Sequence, residues 1–346
     1  MYFRTRFGIA VAALVGMSAA AGAQAVITNG TIRMGIGALG DLNTGSVAQV
    51  TGTRTVGLRL ITAAGDYEST ADGCTCEGWG VGVRSGGVVT SSGYANSRVG
   101  TDNLTAVSFT STAATATSTV RLTSGAALQV THEYSPSSVP NLYEVKVTIT
   151  NTGATGIGDV VYRRVMDWDI SPTQFRENVR ISGWGAANLI GSGSNGFNSA
   201  KPLDVIEGGC TIGGVCNGNF ETTEAADRGS FFDFSFGALG AGESRTFQTF
   251  YGAASNLDGL LSALGAVGVE VYTAAWCGDI GGTGDLRCAG KSGPAVFGYG
   301  FKGVGGTRPP ELPPVTGVVP EPSTYVMLAT GLLGLVGISR RRRSTV

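Results

Sequence analysis

Residues 142–150 read LYEVKVTIT, a run in which two kinds of side chain alternate. One face carries Tyr143, Val145, Val147 and Ile149, and the other carries Leu142, Glu144, Lys146, Thr148 and Thr150. Because successive side chains of a strand point to opposite faces, this period of two predicts a half-buried antiparallel strand. Asn151-Thr152-Gly153 predicts a turn after it, and the run 160–170 is the expected partner strand.

The rest of the body continues this pattern. About a dozen short runs rich in β-branched residues are separated by clusters of Gly, Asn, Asp and Ser, and the chain has 56 glycines. One segment differs: Asn256 is a predicted N-cap, Leu257, Leu260, Leu261 and Leu264 share one helical face, and Gly265 is the predicted helix end. We therefore expect an all-β fold, a large antiparallel β-sandwich of two sheets with one short helix.

The N-terminus has the three parts of a secretory signal peptide. Arg4 and Arg6 precede an apolar run from residue 7 to about 21, and Ala23-Gln24-Ala25 is a small-x-small cleavage site. The run is short and rich in Ala and Gly, which disfavours the alternative of an uncleaved anchor. Residues 1–25 are the predicted signal peptide, and the mature chain is expected to begin near Val26.

Residues 26–302 form the predicted β-sandwich ectodomain. This range holds 17 Lys and Arg against 23 Asp and Glu, a net charge of −6. It has no basic run that would gather phosphates, so a nucleic acid partner is not expected.

Six cysteines in an exported chain predict disulfides. The short intervals favour two local pairs, Cys210 with Cys216 and Cys277 with Cys288. The pairing of Cys74 and Cys76 stays open, since a bridge between them would close a strained ring. Zinc is the competing interpretation, but two C-x-x-C motifs are lacking and His132 is the only histidine.

Composition changes sharply after Lys302. Six of the 11 prolines lie between Pro309 and Pro322, following a glycine-rich stretch. Proline removes backbone donors and favours extended chain. We therefore expect residues 303–319 to be a Gly/Pro-rich linker without a packed core, and the folded body to end near Lys302.

Residues 320–346 have the pattern of a membrane stop. Pro320-Glu321-Pro322 precedes an apolar stretch from Val326 to Ile338, and Arg340, Arg341, Arg342 and Arg343 follow. The 17 residues from Ser323 to Ser339 would span about 25 Å as a helix, short for a bilayer core of about 30 Å but within reach of local thinning. The arginines should stay in the cytoplasm, leaving the body outside.

This order of motif, apolar helix and basic cluster at the C-terminus resembles the PEP-CTERM sorting signal. The resemblance implies recognition by an exosortase, processing close to Pro320, Glu321 and Pro322, and then release or transfer to the surface of a Gram-negative bacterium that makes exopolysaccharide. An ordinary anchor without processing is the alternative, because only the Pro-Glu-Pro distinguishes the two. Residues 74–83 and 162–169 also resemble the body of uncharacterised PEP-CTERM proteins, to which no activity is attached.

Two pairs of aspartates are candidate calcium ligands. Asp167 and Asp169 project from the same face of a strand, where they would bind Ca²⁺ or act as acid and base on a glycan. Arg163 lies an even number of positions from both aspartates and so shares their face of the strand. In the structural alternative, Arg163 neutralises one of the aspartates. Asp279 and Asp285 lie in a glycine-rich loop, where turn formation is the alternative. Calcium is the one cofactor these residues suggest.

An enzyme is not expected. His132 and Glu133 are adjacent on a strand and face opposite ways, and no Gly-x-Ser-x-Gly motif is present. The four tryptophans, Trp79, Trp168, Trp184 and Trp276, favour core packing over a sugar-stacking face. The sequence thus predicts a non-catalytic surface or matrix protein associated with exopolysaccharide or biofilm. The alternative is a glycan-binding or glycan-cleaving β-sandwich sorted by the same tail.

Overall fold

The computed structural model describes residues 24–44, 55–71, 73, 76–96, 100–197, 199–204, 209–278 and 288–313. These residues form nineteen strands and one α-helix. The strands are β1 (Gln24–Thr28), β2 (Ile32–Gly37), β3 (Leu58–Thr62), β4 (Gly65–Glu68), β5 (Gly78–Ser85), β6 (Val88–Asn96), β7 (Gly100–Asp102), β8 (Leu104–Ser111), β9 (Ala116–Leu122), β10 (Leu128–Pro136), β11 (Leu142–Asn151), β12 (Ile157–Trp168), β13 (Glu177–Ser182), β14 (Leu189–Gly193), β15 (Phe220–Glu221), β16 (Arg228–Leu239), β17 (Ser244–Ala254), β18 (Val271–Cys277) and β19 (Val296–Lys302). The helix is α1 (Leu257–Val267).

The all-β class is confirmed, but the strands form three antiparallel sheets where the sequence predicted two. The nine-stranded sheet has the order β15-β13-β18-β19-β17-β11-β10-β9-β8, and the six-stranded sheet has the order β14-β16-β12-β5-β6-β7. A third, four-stranded sheet of β1-β2-β3-β4 packs on the same core. Sequence patterns give the class but not the number of sheets, since every strand offers the same backbone hydrogen bonds to any partner.

The two larger sheets share one core built from aromatic side chains. Phe234 of β16, in the six-stranded sheet, meets Phe301 of β19, in the nine-stranded sheet, with ring centroids 4.7 Å apart. Phe247 of β17 and Tyr162 of β12 make an edge-to-face contact at 5.1 Å across the same interface. Such pairs hold facing sheets in a fixed relation and bury large apolar areas.

Strand β11 contains the alternating run, and its faces are as predicted. Tyr143, Val145, Val147 and Ile149 are buried, whereas Lys146 is exposed. Leu142, on the otherwise polar face, is also buried because it joins the small core beneath α1.

The predicted partner of β11 is wrong. Strand β11 pairs with β10 and β17, while β12 pairs with β5 and β16 in the other sheet. The turn after Asn151 therefore carries the chain from one sheet to the other. A turn signal cannot distinguish this crossing from a hairpin, because both need the same local reversal.

Helix α1 begins as predicted and ends later. The side chain of Asn256 accepts a hydrogen bond from the Gly259 amide at 2.8 Å, and the leucines of the predicted face are buried. The helix runs past Gly265 to Val267 and ends at Gly268, whose φ of 73° is left-handed. Gly265 and Gly268 both match the sequence pattern of a helix C-terminus, but only Gly268 has the left-handed backbone that favours a residue without Cβ.

The folded unit extends beyond Lys302, to Pro313. Val304 is fully buried in the main core, and Leu312 is buried against α1. Glu270 accepts hydrogen bonds from the amides of Gly303, Val304 and Gly306, each at 2.9 Å. A proline-rich composition predicts an extended chain. It does not predict whether apolar side chains of that chain pack on the folded body, as Leu312 does against α1.

Candidate functional site

Three aspartates meet where β12 ends and β16 begins. Asp167 is near the end of β12, Asp169 directly follows that strand, and Asp227 directly precedes β16. The two strands are antiparallel with Trp168 opposite Arg228, so the next pair in register is Asp169 with Asp227. Ligand oxygens of the three carboxylates all lie within 4.8 Å of one another. We call Asp167, Asp169 and Asp227 the carboxylate cluster.

A fourth carboxylate, that of Glu177, comes from the nine-stranded sheet. Glu177 is the first residue of β13; its amide donates to the carbonyl of Ala226 at 2.8 Å, and the Ala226 amide donates back at 3.1 Å. The Glu177 side chain is fully buried. Its Oε1 accepts from the amide of Ile170, next to Asp169, whereas Oε2 has no hydrogen-bond partner.

The electrostatics of this site are those of crowded negative charge. Burial, with the neighbouring carboxylates of Asp169 and Asp227, raises the pKa of Glu177 to about 10. Burial also raises the pKa of Asp227. Among the described residues, Arg228 is a nearby cation; its charge interacts with Glu177 and Glu224, and its Nη2 donates to the Glu224 carbonyl. Like charges directly opposite on paired strands are destabilising.

The backbone is tight around the cluster. A Cβ added to Gly73 would lie 1.9 Å from Oδ1 of Asp169, so only glycine permits this approach. The three carboxylates of the cluster offer hard oxygen ligands of the type that calcium prefers.

The sequence paired Asp167 with Asp169 correctly but gave Arg163 the wrong role. Arg163 pairs with Asp233 of β16, with Nη2 2.6 Å from Oδ2 and Nε 2.8 Å from Oδ1. Asp233 lies directly opposite Arg163 in the ladder. Parity along one strand places side chains on a face, but the partner is set by the neighbouring strand, which the sequence did not identify. Asp227 and Glu177 were also missed. Asp227 lies 58 residues after Asp169, and Glu177, although only 8 residues after Asp169, begins a strand of the other large sheet.

Arg164, on the opposite face of β12, forms a second buried ion pair. Its Nη2 contacts Oε1 of Glu77, and its guanidinium lies over the ring of Tyr251, 5.1 Å from the centroid. Oε2 of Glu77 accepts from the Leu42 amide at 2.7 Å. Burial raises the pKa of Glu77 to about 7, although Arg164 opposes the shift.

His132 belongs to the same buried region. Its ring is fully buried, packs on Trp79 with centroids 4.5 Å apart, and places Nε2 3.2 Å from the hydroxyl of Tyr162. Burial, and then the charge of Arg164, hold its pKa well below the usual value. Glu133 faces the other way, where it pairs with Lys146. In the part of the chain that the structure describes, no surface of the His132 ring is exposed to solvent.

The tryptophans do not share a face. Trp79, Trp168 and Trp276 are buried, and Trp184 is 37% exposed. Trp184 lines a cleft of about 240 Å³ whose other walls include Asn219, Arg308, Pro309 and Pro310. This cleft lies against the residues that lead towards the C-terminal tail.

Two of the predicted disulfides are supported. Cys210 and Cys216 are bonded with Cα atoms 5.6 Å apart, and Cys277 and Cys288 with Cα atoms 6.0 Å apart. Cys76 is buried, while Cys74 lies outside the described residues, as do Asp279 and Asp285 of the predicted calcium loop.

The chain ends also lie largely outside the described residues. These include the predicted signal peptide up to residue 23, the Pro320-Glu321-Pro322 motif, the apolar stretch and Arg340 to Arg343. Strand β1 begins at Gln24, two residues before the predicted start of the mature chain. Within the described ranges, no helix combines the length and apolar character needed to cross a bilayer.

Comparison with known proteins identifies the tail. Residues 318–343 match the family model described as the PEP-CTERM protein-sorting motif. No curated protein matches the chain. The motif marks the chain as an exported bacterial protein that an exosortase sorts to the cell envelope or surface.

Proposed function

We propose that this is a non-catalytic structural protein of a Gram-negative cell surface or extracellular matrix, associated with exopolysaccharide. The observation that carries the proposal is the sorting motif at residues 318–343. A β-rich body with local disulfides suits an oxidising exterior, where such bonds persist.

The burial of the candidate catalytic groups supports a non-catalytic role. A general base must come within hydrogen-bond reach of the proton it removes. His132 is sealed between Trp79 and Tyr162, and Asp167 and Asp169 are buried, so a glycan cannot approach them without unfolding of the surrounding strands. A turnover assay of the full chain on glycans tests this, and hydrolysis that Asp167→Asn abolishes would contradict it.

We further propose that exosortase cuts close to Pro320, Glu321 and Pro322, after the apolar stretch has held the chain at the inner membrane. An extended, proline-rich site can enter a membrane enzyme without unfolding the body, which extends to Pro313. The arginines at 340–343 would hold the cleavage site at a constant depth relative to the inner membrane.

Processing is tested with a chain tagged just before Pro314 and again after Val346, expressed in its host with and without exosortase. The C-terminal tag should be lost only when the enzyme is present. Replacing Pro320, Glu321 and Pro322 together by Ala should preserve both tags, whereas the control Pro314→Ala should be processed normally. Retention of both tags in the membrane of the wild-type host would show that the tail anchors the chain without being processed.

A glycan-binding role is the second candidate, favoured by the cleft at Trp184. A half-exposed indole beside Asn219 and Arg308 offers a stacking face with polar groups at its edge. The full chain should then bind exopolysaccharide, and Trp184→Ala should weaken binding about tenfold or more. Val88→Ala, at an exposed site on β6, is the matched control. Equal binding by both variants would exclude the cleft.

A further inference from the structure

The cleft at Trp184 has walls that are held by hydrogen bonds between separate segments of the chain. Trp184 lies in a four-residue turn after β13, closed by a hydrogen bond from the Ala186 amide to the Gly183 carbonyl at 3.2 Å. The Trp184 amide donates to Oδ1 of Asn219 at 2.8 Å, which ties this turn to the residue that precedes β15. Another wall comes from residues 303–313, which we call the C-terminal strap.

The C-terminal strap lies directly against this turn. The Ala187 amide, just after the turn, donates to the Gly305 carbonyl of the strap at 2.9 Å. A Cβ added to Gly306 would lie 2.9 Å from Cβ of Ala186, so glycine at this position permits the close approach. The walls of the cleft are therefore in place before a ligand arrives, which lowers the entropy that binding costs.

The cleft combines an aromatic face with a positive charge. Trp184 is the one tryptophan of the described residues that is exposed, and among the described residues that line the cleft only Arg308 is charged. Nη1 of Arg308 donates to the Leu312 carbonyl, whereas its Nε and Nη2 have no hydrogen-bond partner within the described ranges. Nδ2 of Asn219 likewise donates to no described residue. The lining thus offers an indole, guanidinium donors and an amide donor to a ligand.

The carboxylates that contact or belong to the C-terminal strap are bonded to other groups. Glu270 accepts hydrogen bonds from three amides of the strap, and Glu311 accepts from the hydroxyl of Tyr272 at 2.9 Å. None of the described carboxylates forms an ion pair with Arg308. An anionic group from outside the chain is therefore the complementary partner for this guanidinium, whose planar fork of donors matches a carboxylate.

We infer that the cleft binds a uronate, a sugar ring that carries a carboxylate, within an acidic polysaccharide, and this assignment rests on the glycan-binding role proposed above. The sugar ring would stack on the indole of Trp184, which presents a flat apolar surface. The carboxylate would accept hydrogen bonds from the guanidinium of Arg308. Nδ2 of Asn219 would donate to a ring hydroxyl.

Calorimetric titration of the full chain in detergent tests this assignment with two matched ligands, trigalacturonate and its methyl ester. The two share a sugar backbone and differ in the charge of their carboxyl groups, and a trisaccharide avoids the avidity of a polymer. The wild-type chain should bind trigalacturonate about five- to tenfold more tightly, through one charge-assisted contact at an exposed site. Arg308→Gln should remove this difference without weakening the binding of the ester. The control Arg121→Gln, at an exposed position of β9 towards the other end of the nine-stranded sheet, should keep it.

Trp184→Ala should weaken the binding of both ligands by the same factor, because stacking does not depend on the carboxylate. Equal weakening of both ligands by Arg308→Gln would show that Arg308 acts only by holding the C-terminal strap, and would overturn the uronate contact. Loss of the difference in Arg121→Gln would show a general attraction of charge and would overturn it too. Binding of exopolysaccharide without a preference for trigalacturonate over its ester would refute the uronate alone. Absence of exopolysaccharide binding would refute the glycan-binding role itself.

Discussion

Lowering the pH to about 5.5 is expected to destabilise the folded protein through its only histidine, His132. The imidazole is fully buried among Trp79, Tyr134 and Tyr162, and its Nδ1 has no hydrogen-bond partner. Burial is the main cause of its lowered pKa, and the guanidinium of Arg164 adds to it. The folded protein therefore holds the ring neutral at a pH where the unfolded chain binds a proton.

The sign and size follow from proton linkage. Below the unfolded pKa of about 6.5, the unfolded state binds the extra proton, so stability is lost as the pH falls. At one pH unit below that value the loss is RT ln 11, or about 1.4 kcal/mol. Glu77 acts in the opposite direction, because its raised pKa of about 7 lets the folded state take up a proton first. The histidine's share must therefore be measured as a difference between two proteins.

The assay compares the wild-type protein with His132→Gln, whose amide replaces Nε2 as the partner of Tyr162. The difference between their unfolding free energies, from urea denaturation, should change by about 1.4 kcal/mol between about pH 7.5 and pH 5.5. A single histidine also gives a single imidazole signal in NMR spectra, and the pKa read from this signal should lie well below that of an ordinary imidazole. An imidazole that titrates near pH 6.5 in the folded protein would refute the reasoning, as would equal pH slopes for the two proteins.

Three further changes test the packing. Glu77→Gln, measured at about pH 8, should lower the unfolding free energy by about 3–5 kcal/mol, because it leaves Arg164 charged in the core. The control Glu133→Gln should cost under about 1 kcal/mol, since Glu133 and Lys146 are 45% and 52% exposed. Equal costs in urea denaturation would contradict the assigned burial. Leu312→Ala should cost about 2–5 kcal/mol by the same assay, and no change in midpoint would show that residues 303–313 do not pack. Asn256→Ala should cost about 1 kcal/mol through the lost cap of α1, and a neutral result would argue against that hydrogen bond.

Local patterns explain the parts of the fold that the sequence predicted. The alternation at 142–150 identified the buried face of β11, because a strand's side chains alternate wherever the strand pairs. Asn256 identified the start of α1, because a cap acts within one turn. The tail motif was likewise readable, because its parts follow one another in chain order.

The acidic site at the end of β12 could be predicted only in part. Asp167 and Asp169 lie two positions apart, so strand periodicity alone puts them together. Asp227 and Glu177 join them through the register of β12 with β16 and the bridge between Glu177 and Ala226. No pattern in one sequence reports which distant strand supplies a neighbour.

The sequence by itself determined the β class, the helix start, the two disulfide pairs and the sorting tail, because each depends on residues close together in the chain. The tertiary structure alone decided that β11 and β12 lie in different sheets, that Arg163 pairs with Asp233, and that the folded unit extends to Pro313. The physical reason is that backbone hydrogen bonding is the same for every strand. Partners are therefore selected by side-chain packing across the whole core, to which residues far apart in the chain contribute together.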